Sequence, residues 1–171
     1  MRLLPLLACL APTLATAQEA PLSPLETDPA EMEFLMVLPP ELAPVPASAE
    51  VVFAAERTDI GATMSQSFTL KPEAMVGDVY RFGIAEGDLD RFRTAQATAL
   101  DWSRNFADVS TGRVTSGLSA CAIGADQPAA TAGFSVAFWQ RDKPEQMQLI
   151  AAGTVRSLLE AEGLEQFPPC K

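Results

Sequence analysis

Histidine is absent from this sequence. That removes Ser-His-Asp and Cys-His nucleophile pairs, HExxH zinc sites and any histidine general base. Cations are scarce as well, 12 Lys and Arg against 22 Asp and Glu, for a formal charge of −10. Phosphate contacts need clustered Lys and Arg, so this balance argues against nucleic acid as a partner. No GxGxxG, P-loop, SxxK or HxE/CxxC deaminase pattern occurs, and no cofactor is expected. No stretch reaches the ~18 apolar residues of a membrane-spanning helix. What is present is ample apolar material, 48% of 171 residues, which suffices for one globular core.

The N-terminus reads as an export signal. Arg2 precedes an apolar run (Leu3, Leu4, Leu6, Leu7, Leu10, Leu14) that ends in Ala15-Thr16-Ala17. A positive start, an apolar centre and a small-x-small end form a secretory leader, with cleavage expected after Ala17. A rival reading takes Leu6-Leu7-Ala8-Cys9 as a lipoprotein box with Cys9 acylated. It would leave a very short leader, while the apolar run continues past Cys9. The expectation is therefore a periplasmic or secreted, soluble protein, with lipid anchoring through Cys9 as the lesser reading.

Loss of Cys9 with the leader leaves Cys121 and Cys170, an even pair in an oxidising compartment. Their separation and the lack of a CxxC motif speak for one structural disulfide rather than a redox dithiol.

Residues 18–49 carry seven prolines, six acids and no Lys or Arg. Such a stretch is expected to be an extended, acidic lead outside the folded domain. An apolar island at 28–38 interrupts it. Asp28 suits an N-cap, Pro29 the first helical position and Glu31 a capping box, ahead of Phe34, Leu35, Met36 and Leu38. Pro39-Pro40 stops whatever forms. The island either packs on its own domain or docks on a partner, and Phe34, Leu35, Met36 and Leu38 are the candidate docking residues.

Residues 50–171 suit a single domain. Alternation predicts strands at 50–56, 64–70 and 76–84, the last with Val76, Tyr80, Phe82 and Ile84 on one face, together forming a meander. A stripe of Leu89, Phe92, Ala95, Ala99, Trp102 and Phe106 predicts a helix over 89–106, with Asp88 as N-cap. Further strands are expected at 113–123, 133–140 and 146–150. A last helix over 154–162 has Thr154 as cap and Gly163 as stop. The predicted fold class is α+β, a twisted antiparallel sheet of about six strands with two helices packed on one face and one disulfide.

Chemistry-bearing patterns are few. Glu86, Asp88 and Asp90 alternate like the first ligands of a calcium loop, but Arg91 stands where the loop glycine belongs and Ala97 where the bidentate Glu belongs. No catalytic or metal-ligating residue is assigned. Arg91 and Arg93 on the long helix are candidate anion contacts, against a bland reading as partners of nearby acids. The expected function is an exported, non-catalytic module that binds or scaffolds a protein partner in the cell envelope. The alternative is a small hydrolase or lyase acting through two carboxylates.

Overall fold

The computed structural model describes residues 23–170, so the expected leader, Cys9 and the first residues of the lead lie outside them. A short helical turn, Pro29–Glu31, leads into β1 (Met32–Val37), followed by β2 (Leu42–Pro44), β3 (Glu50–Arg57), β4 (Ala62–Val76) and β5 (Val79–Ile84). Helix α1 (Leu89–Asn105) comes next, then β6 (Ser110–Gly117), β7 (Ala120–Ala122), β8 (Gly133–Gln140), β9 (Lys143–Thr154) and α2 (Val155–Glu162).

Seven strands form one sheet in the order β6-β3-β4-β5-β1-β8-β9, and β2 pairs separately with β7. All neighbours in the main sheet are antiparallel. The class is α+β as expected, with two helices and one disulfide, but the sheet has seven strands rather than about six. It curls into a near-barrel whose edge strands β6 and β9 come within 8 Å at their Cα atoms.

The seventh strand is the apolar island. Asp28 does cap the turn, its carboxylate accepting from the Ala30 amide at 3.1 Å, and Pro29 starts it. The chain then extends rather than coiling. Met32, Phe34 and Met36 alternate into the core, each no more than 1% exposed. β1 pairs over its length with β5 on one side and β8 on the other. The expected boundary between a lead ending at 49 and a domain starting at 50 therefore does not exist in the fold. The docking role is corrected too: Phe34, Met36 and Leu38 are buried in the chain's own core, and Leu35 is half-buried on the opposite face.

Three local expectations change. The run at 76–84 contains a hairpin turn, because Gly77 takes φ +65° and reverses the chain; Val76 thus ends β4 and is 62% exposed instead of sharing a face with Tyr80. The run at 113–123 breaks at Leu118-Ser119 into β6 and β7. The helices do not share one face. α1 lies against the inner face, where the Phe92 ring meets Phe53 and Phe68 with centroids 5.8 and 4.7 Å away. α2 instead packs on a second cluster with Leu38, Leu42, Ala120, Ala122 and Phe167. Its start follows the expected chemistry, with a Thr154–Ser157 capping box, and Gly163 ends it at φ +66°.

Cys121 and Cys170 form the expected disulfide, with Cα atoms 5.0 Å apart. It closes a C-terminal strap already held by Cys170 N–H to Ala122 O (3.0 Å) and by Gln127, which both donates to and accepts from the Phe167 backbone at 3.1 Å.

Two outcomes follow from this architecture. A chain that starts at Glu50 lacks the strand joining β5 to β8 and should show no cooperative unfolding transition by circular dichroism; a sharp transition would disprove the role given to β1. Replacing Cys121 and Cys170 by Ser releases a loop of 49 residues. That should cost about 4 kcal/mol in urea unfolding.

Candidate ligand-binding site at the open seam

Because the seven strands alternate in direction, the two edge strands β6 and β9 run the same way. They can come together only as a parallel pair, and no backbone hydrogen bond joins them among the described residues. The near-barrel therefore keeps an open seam. A cavity of about 460 Å³ lies there, within the range of small-molecule sites.

Four parts of the chain build its wall: residues 110–114 of β6, 148–150 of β9, Phe53 and Ala55 of β3, and Ala99, Trp102 and Ser103 of α1. Ser23, Pro24 and Leu25 close one side. They are held there by α1. Gln96, buried on the helix, donates its amide to Pro24 O (2.7 Å) and Thr27 O (2.8 Å), while Arg104 reaches Glu26 at 2.7 Å. A glutamine in the apolar stripe is thus satisfied by the incoming chain. Trp102 is fixed at the backbone, where its carbonyl accepts from Ser110 Oγ at 3.0 Å. The lining is mainly apolar (Phe53, Trp102, Val114, Leu149 and Ile150 among it), and Leu149 is 67% exposed.

A second cluster sits on the outer face of β1. Glu33 is 1% exposed and lies opposite Gly83 of β5 and Trp139 of β8. Trp139 Nε1 donates to it at 2.6 Å, Arg141 Nε at 2.7 Å, and Arg81 completes the set as a close ion pair. Arg141 also bridges to Glu73 at 3.0 Å. Gly83 makes this possible, since a Cβ there would stand 2.6 Å from the Glu73 carboxylate. Burial pushes the Glu33 carboxyl up, but the hydrogen bonds from Arg141, Arg81 and Trp139 and the charge of Arg81 outweigh it and hold its pKa below the usual value. An acid kept ionised by two arginines is a poor proton donor. The pair brought together here, Glu33 and Glu73, is organised as an ion network rather than as an acid and a base.

Compared with known protein families, curated proteins and solved structures, the chain matches none.

The residues singled out from the sequence fall elsewhere. Arg91 pairs with Asp88 (2.8 Å) and donates to Ser67 O (2.7 Å); Arg93 pairs with Asp90 (3.0 Å) and Asp28 (3.1 Å). Both guanidinium groups are engaged with acids or carbonyls of the molecule while about half of each side chain stays exposed. Asp88 does not cap α1, because its carboxylate is taken by the Thr69 amide at 2.8 Å and by Arg91. No metal-holding group of acids and cysteines occurs among the described residues. Sequence reasoning missed the seam, whose members come from five separate segments. It also passed over Glu33, although one acid inside the run from Met32 to Leu38 is the signal of a buried charge with partners.

Replacing Glu33 by Gln leaves Arg81 and Arg141 facing an uncharged amide and should cost about 3 kcal/mol. The pH dependence has a definite sign. A carboxyl whose pKa is depressed on folding contributes stability that is complete above its unfolded value, 4.5, and is lost as pH falls through the lower folded value. Urea midpoints measured from pH 7 downward should therefore fall less steeply below pH 4.5 for Glu33→Gln than for the unaltered chain. Parallel curves would disprove the assignment.

Proposed function

We propose that this protein is an exported, non-catalytic binding module whose ligand sits in the seam between β6 and β9. The observation that carries this reading is the cavity itself: an apolar recess of about 460 Å³ walled by Trp102, Phe53 and Ile150, at the one place where the curled sheet is not closed by hydrogen bonds. Concave, mainly apolar recesses at the mouths of barrels are where small ligands are held. Export is supported by the leader pattern of residues 1–17 and by the Cys121–Cys170 disulfide, which is suited to an oxidising compartment. Among the described residues no helix is long and apolar enough to cross a membrane.

The partner is thereby recast. The apolar island is used up in the core, and the surface assigned here to recognition is the recess at the seam. Three strands and α1 supply its walls, so the recess is formed before the ligand arrives, which lowers the ordering cost of binding.

The neutral fluorophore N-phenyl-1-naphthylamine tests this directly. It should bind with one-site saturation and enhanced emission. Leu149→Asp, a change at an exposed edge position, should weaken binding roughly tenfold while leaving thermal unfolding unchanged. Absence of saturable binding to the unaltered protein would overturn the reading.

A further inference from the structure

We infer that the seam takes an amphiphile, an apolar body ending in one anionic group such as a carboxylate, and that Arg113 receives the anion. The inference rests on the seam reading and adds the ligand class. Among the described residues Arg113 is the only charged one in the cavity lining. Other arginines of the strands, of α1 and of the β8–β9 turn already hold acids. Arg57 pairs with Asp59, Arg81 and Arg141 with Glu33, Arg91 with Asp88, Arg93 with Asp28 and Asp90, and Arg104 with Glu26. Arg113 has neither an ion pair nor a side-chain hydrogen bond among the described residues. In a chain with 22 acids to 12 bases, that is not for want of partners.

The placement suits a two-part ligand. Successive residues of β6 point to opposite sides, so Val114 faces the core with Phe53 and Trp102, while Thr111 and Arg113 stand together on the other side, at the rim. A chain or ring lying along Trp102 and Ile150 would place its end beside that rim. There a guanidinium offers paired donors matched to a carboxylate. The apolar wall supplies affinity and the single cation supplies selection, since a neutral analogue forfeits only the charge-assisted bonds.

The experiment compares decanoate with decanol, which share an apolar body and differ at the head group. Each is titrated against the N-phenyl-1-naphthylamine complex of the purified protein at pH 7.5, decanoate below its micelle concentration and decanol below its solubility limit. Decanoate should displace the fluorophore at a concentration roughly tenfold lower than decanol. Arg113→Gln should bring decanoate to the decanol level without moving decanol, and Arg113→Lys should restore part of the difference. Trp102→Phe should abolish the change in tryptophan emission on decanoate binding while leaving that of Trp139. Equal displacement by both compounds, or a decanoate advantage that survives Arg113→Gln, overturns the anionic class and leaves the seam site standing; Arg113 is then an edge-strand charge that keeps β6 from pairing. If neither the fluorophore nor either compound binds, the seam reading fails as well.

Discussion

The fold depends on β1 standing between β5 and β8. Every other strand of the main sheet belongs either to the block β6-β3-β4-β5 or to the hairpin β8-β9, and only β1 carries hydrogen bonds to both. Its two faces do different work. Met32, Phe34 and Met36 join the core on the inside. On the outside Glu33 gathers Arg81, Trp139 and Arg141, so the same two junctions are held again by charge. Satisfying a buried carboxylate needs donors from several directions. Here they come from β5, β8 and the turn after it, so the network forms only when both junctions are in register.

Adding β1 also makes the strand number odd, and the seam follows from that. Antiparallel neighbours alternate in direction, so seven of them leave edges that run the same way and share no ladder. Curvature brings these edges close without closing them, and α1 with Ser23, Pro24 and Leu25 covers the remaining opening in part. The cavity is thus a by-product of strand parity, stiffened by Gln96 and Arg104 holding the incoming chain to the helix.

Much of this was legible locally. The strands beginning at Glu50 and Gly133, the stripe of α1, the Thr154 cap and the Gly163 stop all follow from alternation or capping, which are short-range effects. The turn at Gly77-Asp78 was hidden because Val76 and Tyr80 mimic one continuous face when the reversal is overlooked. The island was misplaced for a related reason. Proline on both sides is common to unfolded leads and to strands that enter and leave a sheet abruptly, and composition cannot separate the two.

By itself the sequence determined the leader pattern, the absence of histidine chemistry, the α+β class and, once the expected leader with Cys9 is set aside, the pairing of the two remaining cysteines, because each depends on residue identity or on short-range periodicity. Tertiary structure alone decided that β1 is central, that Arg91 and Arg93 are engaged while Arg113 has no ion pair among the described residues, and that β6 faces β9 across an apolar recess. Alternation says which side of a strand is buried and never which strand lies beside it. A site assembled from five segments therefore has no trace in any one of them.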